Sequence, residues 1–381
     1  MKKMLMCVLL LSSLLVFQTM AQENKKKPVK KKRTPPPTRL YTDAGAPKFT
    51  VIEQAKLTKK QLLDMEGDFV AGPKFTPAAE NKRSNDVPAG TIKQFVLDST
   101  KGTIYNPGIA RKVFGTVDPN NPKTLIVETH EIDYKRTITV YIPAGYKEGT
   151  EIPFMVIHDG PKVVGKPNKG LMTIFDNLIH QKRIPPMAVI SVANGGGDAQ
   201  GHQRGKEYDT MSGLLAEYVE THVLPKVESN YKIKLTKDPN GRGTMGNSSG
   251  ASAALCMAWY RTDLYTRVVS WSGTFVNQQW PFNPETPDGA WGFHNKIIPE
   301  SPVKPIRIWM GVGDKDNYNP NVMRDGMHDW VKANHEMAKV LKTKGYHYQY
   351  LFAIGNGHGM RPSKVEYMPH AIEWVWRDYK K

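Results

Sequence analysis

Five short apolar runs from residue 152 onward are each closed by glycine or polar residues. They read IPFMVIHDG, MAVISVANGGG, TRVVSWSGTF, IRIWMGVGD and YQYLFAIGNGHG. Runs of this kind are typical of parallel strands that are buried on both faces. Helical patterns lie between and after them, in GLLAEYVETHVLPKVESNY, GASAALCMAWYRTDLY, DWVKANHEMAKVLKTKGY and YMPHAIEWVWRDYKK. Strands that alternate with helices predict a doubly wound, mostly parallel α/β sheet.

Upstream of these runs, apolar and polar residues alternate one by one. TIKQFVLDS, KTLIVETHEI and RTITVYIPAGY each follow this pattern, which is typical of half-buried antiparallel strands. We therefore expect the sheet to be entered through an antiparallel hairpin. Residues 91–381 are expected to form one domain, and residues 41–90 an N-terminal extension that packs on it.

The first 21 residues, MKKMLMCVLLLSSLLVFQTMA, have the composition of a secretory signal peptide. They combine a basic start, an apolar run and a small residue before the expected cleavage after Ala21. The mature protein is therefore expected to be secreted or periplasmic. No later stretch approaches the roughly 20 apolar residues that a transmembrane helix needs. Cys7 leaves with the signal, so Cys256 remains alone and no internal disulfide is expected.

A large share of the net charge of +17 lies directly after this segment. QENKKKPVKKKRTPPPTR, residues 22–39, contains six lysines, two arginines and one glutamate. Because it is rich in proline and charge and nearly free of apolar residues, residues 22–40 are predicted to be a disordered basic arm. The arm is either a solvated spacer or a weak contact with an anionic envelope surface. It has no aromatic residues for base stacking, so no nucleic-acid partner is expected.

The stretch TMGNSSGASAA contains the pattern Gly-x-Ser-x-Gly, with Gly246, Ser248 and Gly250 in the fixed places. In α/β-hydrolases this pattern forms a strained strand-to-helix elbow that presents a nucleophilic serine. The residues two before and two after the serine must be tiny, because larger side chains would collide across the turn. Ser248 meets this condition better than Ser249. The alternative interpretation is a loop of small residues that only caps a helix.

Aspartate and histidine residues follow the later predicted strands. They therefore lie at the carboxyl ends of the parallel strands, the edge of the sheet where ligands bind in such folds. Their chain order, Ser248, then an aspartate, then His358, is that of the α/β-hydrolase triad. His358 is the expected base, and His158 is the other histidine at a strand end. GVGDKDN offers two acids, Asp314 and Asp316. We expect Asp316, from its spacing after the glycine that ends the strand, to orient the histidine.

An acyl-transfer site also needs N–H donors for the oxyanion. One is expected from Ser249, which follows the nucleophile at the start of a helix. The other is expected from the loop HDGP, and thus from Asp159 or Gly160, with Gly160 as our prediction. Pro161 carries no N–H. The alternative interpretation of HDGP is a plain turn.

Polar residues near these loops are candidates for substrate binding. We include His158, Asp159 and Arg204 among them. Arg204 lies in NGGGDAQGHQRGKEYDT, a loop that we expect to be pinned by a network of Arg204 with Glu207 or Asp209.

A long segment without periodicity, residues 277–293 (NQQWPFNPETPDGAWGF), is predicted to be a lid. Trp280, Phe282 and Trp291 within it either cover an aromatic acyl group, stack on a sugar, or simply pack the lid onto the body.

The combination VYIPAGY, HDG, FDNLI, EYDT, LPKVE, GNSSG, SGTF and AIEWVWRDY resembles the enterochelin esterase and esterase-D-like family, to which feruloyl and acetylxylan esterases are related. The resemblance covers residues 91–381. It implies an α/β-hydrolase fold and a serine esterase in which Ser248, Asp316 and His358 match the triad positions. The family's QDG is HDG here, and its common Gly after the elbow is Ala251.

The sequence therefore predicts an exported serine esterase that cleaves a carbohydrate acyl ester or a siderophore-type ester through an acyl-enzyme on Ser248. A peptidase or an acyltransferase would use the same triad. The alternative class is a catalytically silent α/β-hydrolase that binds a ligand. No Cys/His cluster has metal-ligand spacing, so neither a metal nor another cofactor is expected. The oligomeric state is left open.

Overall fold

The computed structural model describes residues 52–53, 57–98, 104–161, 170–320, 322–323 and 325–379. All of them lie in one structural unit, Thr38–Lys381. The predicted signal peptide and basic arm, residues 1–40, lie outside the described residues. No helix within the described ranges combines the length and the apolar character that crossing a bilayer requires.

The strands form one large sheet and two small ones. In chain order they are β1 (Ile52–Glu53), β2 (Gly67–Ala71), β3 (Thr91–Asp98), β4 (Gly108–Asp118), β5 (Asn121–Ile132), β6 (Lys135–Ile142), β7 (Glu151–Ile152), β8 (Phe154–His158), β9 (Ala188–Val192), β10 (Lys234–Leu235), β11 (Arg242–Asn247), β12 (Arg267–Trp271), β13 (Arg307–Lys315) and β14 (His347–Gly357). Among the described residues the large sheet has ten strands, in the spatial order β3, β6, β9, β8, β11, β12, β13, β14, β2, β1.

Helices follow most of the parallel strands. In chain order they are α1 (Lys59–Asp64), α2 (Leu171–His180), α3 (Gln203–Tyr208), α4 (Leu214–Tyr218), α5 (Leu224–Tyr231), α6 (Ser249–Tyr260), α7 (Ile298–Glu300), α8 (Trp330–Lys344) and α9 (Arg361–Trp376). Single π-helical turns (Val219–Val223 and Phe293–Ile297) join α4 to α5 and precede α7. Short 3₁₀ turns occur at Ala79–Asn81, Pro239–Gly241 and Gly289–Trp291.

The direction of the strands confirms the predicted fold class. From β9 to β1, neighbouring strands of the large sheet run parallel. β6 runs antiparallel to both β9 and β3. The five apolar runs form β8, β9, β12, β13 and β14, and two of the alternating segments form β3 and β6.

Two hydrophobic cores cover the two faces of this sheet. Val156 of β8 packs in the core that contains Ala254 of α6, whereas Met155 and Ile157 pack in the core that contains Trp374 of α9. Successive residues of a strand point to opposite faces, so each central strand supplies apolar side chains to both cores. Full burial of such a side chain contributes about 1.5–3 kcal/mol.

β11 lies in the middle of the sheet although its sequence, RGTMGN, is polar and rich in glycine. Its small residues allow helices to approach both faces. A Cβ atom on Gly243 would lie 3.2 Å from Cε of Met155 and 3.3 Å from Cζ2 of Trp376. Thr244 Oγ1 donates a hydrogen bond to the carbonyl of Ala254 in α6, at 2.9 Å. Close packing on both sides therefore replaces the usual apolar bulk of a central strand.

The segment before residue 91 is built into the far edge of the sheet. β2 pairs in parallel with β14, with Phe69 opposite Leu351. Trp374 Nε1 donates to the carbonyl of Met65 at 3.0 Å. The domain boundary near residue 90 stays a prediction, since the described part of the N-terminal extension shares this sheet.

β4 and β5 form a long antiparallel hairpin of their own, outside the large sheet. The hairpin is fastened to two loops that follow strands of the large sheet. Arg111 Nη1 donates to the carbonyl of Gln200 at 2.9 Å, and Lys123 Nζ lies 2.7 Å from Asp288 Oδ1. Because these loops follow the carboxyl ends of β9 and β12, the hairpin stands at the same edge of the sheet as Ser248.

Candidate active site

Ser248 occupies a sharp turn between β11 and α6, with φ 58° and ψ −130°. A positive φ costs a residue with a side chain about 1–3 kcal/mol, so the surrounding structure must impose it. A Cβ atom on Gly246 would lie 2.0 Å from the carbonyl oxygen of Gly250. The Ser248 N–H is held by the carbonyl of Trp271 at 2.9 Å. The structure thus forms the elbow that the Gly-x-Ser-x-Gly pattern predicts.

Three side chains meet at this elbow. His358 Nε2 lies 2.9 Å from Ser248 Oγ, and His358 Nδ1 lies 2.6 Å from Asp316 Oδ1. Asp316 follows β13 and its side chain is fully buried, whereas His358 follows β14 and is partly exposed. An ionised carboxylate accepts hydrogen bonds only, so Nδ1 carries the proton and Nε2 is free to accept one from the serine.

The two acids of GVGDKDN have different surroundings. Asp314 Oδ1 accepts the N–H of Asn356 at 3.1 Å and so joins the ends of β13 and β14. Asp316 Oδ1 accepts the N–H of Asn317 at 2.7 Å in addition to its bond with His358. The structure therefore brings Asp316, and not Asp314, to the histidine.

Two further polar contacts fix the loops around the triad, and sequence reasoning missed both. Ser272 Oγ accepts the N–H of Gly359 at 3.1 Å, which anchors the residue after His358. Lys364 Nζ donates to Asn247 Oδ1 at 2.6 Å. Burial, together with the nearby Arg361, lowers the pKa of Lys364 to about 7. Ser272 belongs to SGTF, but that motif does not indicate which backbone its hydroxyl contacts, and Lys364 lies outside the quoted motifs.

The two expected oxyanion donors come from two segments that pack together, the start of α6 and the loop after β8. Ser249 is the first residue of α6, where an N–H has no partner within the helix. The N–H of Asp159 donates to the hydroxyl of Tyr208 at 3.1 Å, which leaves Gly160 as the candidate in that loop. A Cβ atom on Gly250 would lie 3.1 Å from Asp159 Oδ2, so this loop packs directly against the start of α6.

The peptide of Gly160 is also held in place. Gly160 has φ 68°, and its carbonyl accepts the hydroxyl of Ser191 at 2.8 Å. A Cβ atom on Gly160 would lie 2.7 Å from the Cβ of Ala193. A glycine is therefore required here both by the backbone conformation and by the close approach of Ala193, the residue that follows β9.

Arg204 has a different partner from the two that the sequence suggested. Its Nε and Nη2 atoms lie 2.9 and 3.2 Å from the two carboxylate oxygens of Asp159. Glu207 is instead paired with Arg136, and Asp209 accepts a hydrogen bond from Gln278. The predicted Arg204–Glu207 pair is thus wrong, whereas Asp209 is close enough for its charge to contribute to the raised pKa of Arg204. Arg204 instead positions Asp159, beside the elbow.

His158 does not lie where a substrate would reach it. Its side chain is only 1% exposed and packs edge-on against the ring of Tyr208, with 5.1 Å between ring centroids. Burial lowers the pKa of His158 to about 4, so the ring is neutral near pH 7. Its inclusion among the substrate-binding candidates is corrected accordingly. The last residue of β8 points into the packed interior.

The two tryptophans of residues 277–293, Trp280 and Trp291, differ in how deeply they are buried. Trp291 is 8% exposed and belongs to the core, where it lies edge-on to His294 with 4.6 Å between ring centroids. It therefore packs the segment onto the body rather than facing a ligand. Trp280 is half-buried and remains a candidate for substrate contact. The segment reaches the elbow through Gln278, whose Nε2 lies 3.2 Å from Ser249 Oγ.

Asp209 and Thr274 are two side chains near the elbow that sequence reasoning did not assign to the site. Asp209 is 3% exposed and accepts a hydrogen bond from Gln278 at 2.9 Å. Burial raises the pKa of Asp209 to about 7. Thr274 Oγ1 lies 3.3 Å from Ser248 Oγ. The motifs EYDT and SGTF contain them, but nothing in those motifs indicates which side chain faces the serine.

Among the described residues, no group of three His, Cys, Asp or Glu could hold a metal ion.

The fold and this site together define a class of protein. A mostly parallel sheet with a serine at a strand-to-helix elbow, followed along the chain by an aspartate and a histidine at strand ends, is the arrangement of the α/β-hydrolases. Residues 129–359, more than half of the chain, match the family described as "Putative esterase". The chain belongs to this esterase family, and it is a hydrolase that acts on carboxylic esters.

Several solved esterase structures resemble this one. A ferulic acid esterase from the anaerobic fungus Anaeromyces mucronatus is 16% identical, with a TM-score of 0.50 over 80% of this chain and 96% of the other. The feruloyl esterase module from Clostridium thermocellum is 15% identical, with a TM-score of 0.48 over 82% and 96%. The enterobactin esterase FES from Shigella flexneri is 14% identical, with a TM-score of 0.49 over 79% and 62%. This chain thus spans 62% of the length of that last esterase. No curated protein sequence matches the chain.

Proposed function

We propose that the protein hydrolyses its ester through an acyl-enzyme formed on Ser248. The observation that carries this proposal is the chain of two hydrogen bonds from Ser248 Oγ to His358 and from His358 to Asp316, at 2.9 and 2.6 Å. A serine hydroxyl is a weak nucleophile near neutral pH and needs a base within hydrogen-bond reach. His358 meets this requirement at the elbow.

In the first step, Ser248 Oγ attacks the carbonyl carbon of the ester while its proton passes to His358 Nε2. The oxyanion receives hydrogen bonds from the N–H groups of Ser249 and Gly160. His358 then gives the proton to the leaving alcohol oxygen, and the acyl group stays on Ser248. In the second step, water loses its proton to His358 and attacks the acyl carbon, and Ser248 Oγ leaves with a proton from His358. Asp316 keeps its charge and stabilises the imidazolium.

The substrate that we propose is a carbohydrate acyl ester or a siderophore-type ester. Both kinds occur among the named structural relatives, which are feruloyl and enterobactin esterases. Two segments contact the elbow region: the loop of the Asp159–Arg204 pair, which packs against the start of α6, and the segment of half-buried Trp280, through Gln278. A panel of feruloyl, acetyl-xylan and catecholate esters separates the two kinds by their relative kcat/KM.

We also propose that the protein is exported and loses residues 1–21, while the basic arm, residues 22–40, is a spacer or a weak contact with an anionic envelope surface. The basis is the composition of these residues. Intact-mass measurement on protein from the producing cell's envelope and medium tests this proposal. A mature chain that begins at Gln22 supports it, and a full-length cytoplasmic chain contradicts it.

The serine mechanism is tested by labelling the purified protein with a fluorophosphonate, followed by peptide mass spectrometry. We expect the label on Ser248, and none in Ser248→Ala or His358→Ala. Ser229→Ala and His347→Ala change an exposed serine and an exposed histidine away from the site, and both variants are expected to label like the wild type. Folded wild-type protein that takes no label would contradict the mechanism and would favour a binding module with this fold.

A further inference from the structure

The hydroxyl of Thr274 connects the nucleophile to a second buried side chain. Thr274 Oγ1 lies 3.3 Å from Ser248 Oγ and 3.1 Å from Nε1 of Trp330. Thr274 is 1% exposed and Trp330 is 3% exposed. Trp330 is the first residue of α8, and its ring stands nearly perpendicular to that of His358, at 83° with 6.1 Å between ring centroids. The serine is thus in contact with two hydrogen-bonding groups, the histidine ring and this threonine.

The direction of each hydrogen bond in this group follows from the chemistry of its members. The indole N–H of Trp330 can only donate, so Thr274 Oγ1 accepts that bond. The threonine's own proton then remains available for another acceptor. Ser248 directs its proton to His358 Nε2, which leaves a lone pair of Ser248 Oγ to accept from Thr274. The bonds therefore run in one direction, from Trp330 through Thr274 and Ser248 to His358.

We propose that Thr274 is a further catalytic residue, which donates a hydrogen bond to the nucleophilic oxygen, and that Trp330 is a positioning residue, which fixes the direction of this donor. The proposal rests on the serine mechanism proposed above and adds to it a second, uncharged group at the reacting atom.

The bond from Thr274 matters most when Ser248 Oγ carries negative charge. This occurs twice in the cycle: when the serine proton passes to His358 as Ser248 Oγ attacks, and when Ser248 Oγ leaves the tetrahedral intermediate during deacylation. As an ester oxygen in the acyl-enzyme, the same atom is a weaker acceptor. A hydrogen bond that is stronger in the transition states than in the ground states accelerates both steps. We therefore expect acylation and deacylation to slow together when the hydroxyl is removed.

The position of Thr274 does not depend on its hydroxyl. Its main-chain N–H donates to the carbonyl of Ser248 at 3.3 Å. Asn334 Nδ2 donates to the carbonyls of Gly273 and Trp330, at 2.9 and 2.8 Å, which joins this loop to α8. A variant that replaces only the hydroxyl is therefore expected to fold with its backbone in place.

The test compares Thr274→Val, which keeps the shape and loses the hydroxyl, with Thr274→Ser, which keeps the hydroxyl. Trp330→Phe removes the indole N–H, and Thr343→Val is the control at an exposed site on α8. For each variant one measures the rate of fluorophosphonate labelling, the acylation and deacylation rates with a p-nitrophenyl ester, and the melting temperature.

We expect Thr274→Val to slow labelling and both chemical steps by about tenfold to a hundredfold, as for a lost hydrogen bond to a charged group. Thr274→Ser and Thr343→Val should keep nearly the wild-type rates, and Trp330→Phe should fall between these and Thr274→Val. The melting temperatures should not follow this order.

Wild-type rates in Thr274→Val, or equal losses in Thr274→Val and Thr274→Ser, would overturn the proposal while the serine mechanism stands. A wild-type protein that takes no label at all would overturn both.

Discussion

Arg136 and Glu207 form an ion pair, with 2.6 Å between Nη2 and Oε1, and neither side chain is exposed to solvent. The pair also holds the loop that follows β9. Arg136 Nη1 donates to the carbonyl of Ala193, and Glu207 accepts from the N–H of Gly195 and from the amide of Gln203. This loop provides Asn194, which donates to Asp159 beside the elbow. The ion pair therefore helps to hold Asp159 in place.

Removing the carboxylate in Glu207→Ala should cost about 3–5 kcal/mol of the free energy of unfolding, because Arg136 is left buried without its partner. Urea unfolding monitored by tryptophan fluorescence measures this loss. Glu148→Ala is the matched control, since Glu148 lies 3.4 Å from Lys232 with both side chains largely exposed. Exposed pairs contribute at most about 1 kcal/mol. Equal losses in the two variants would contradict the supporting role of the buried pair.

Gly246→Ala should destroy the elbow. The added methyl would lie 2.0 Å from the carbonyl oxygen of Gly250 and 2.7 Å from the N–H nitrogen of Ala251. Because both are main-chain atoms, the turn itself must open, and we expect loss of fluorophosphonate labelling together with a lower melting temperature. Gly149→Ala controls for strain alone, since Gly149 has φ 78° with nothing within 4 Å of the added carbon. It should cost only about 1–2 kcal/mol and keep full labelling.

Asp209 should make the stability of the protein depend on pH. Burial raises the pKa of Asp209 from 3.8 to about 7, so the folded state binds an extra proton between these values. The stabilising contribution of the neutral carboxyl is complete below pH 4 and is lost as the pH rises through about 7. Asp209→Asn is always neutral. The free energy of unfolding of Asp209→Asn, relative to that of the wild type, should therefore increase by up to about 4 kcal/mol between pH 4 and pH 8.

Urea unfolding of both proteins at pH 4, 6 and 8 provides this comparison. Asp133→Asn, at an exposed aspartate, should keep a constant difference from the wild type at all three values. A constant difference for Asp209→Asn as well would mean that Asp209 is ionised throughout this range.

The parallel strands β8, β9, β12, β13 and β14 could be predicted because each carries its own apolar signal, but the sequence did not predict their spatial order. The short parallel strands β1 and β2 were not predicted. β11 also lacks an apolar signal, since Gly243 and Thr244 are small enough for helices to pack closely on both faces, and small polar residues give no strand signal. Its place in the sheet was indicated only by the serine motif that follows it. β4 was missed as well, because GIARKVFGTVD belongs to a hairpin outside the sheet and has no regular alternation.

The chain order of the triad could likewise be predicted, but the contacts around it could not. Glu207 is only three residues from Arg204, yet its ion-pair partner is Arg136, 71 residues upstream. Thr274 and Trp330 are 56 residues apart and meet only because the ends of β12 and β13 are neighbours. Spacing along one helix or loop does not contain such information. His158 and Trp291 are likewise buried by side chains from distant segments, such as Tyr208 against His158, and the local sequence does not show this burial.

The β4–β5 hairpin starts and ends at one place on the sheet. The strands on either side of it, β3 and β6, are direct antiparallel neighbours, and Asp98 lies opposite Lys135 where the chain leaves and returns. The exposed part of the hairpin can therefore vary while β3 and β6 stay paired. Its anchors are fixed, because Arg111 and Lys123 hold the loops after β9 and β12, and Tyr105 and Tyr134 pack in the core. Exchange of the exposed hairpin residues between relatives, with these anchors kept, is accordingly a direct route to a new surface beside the nucleophile and to altered substrate choice.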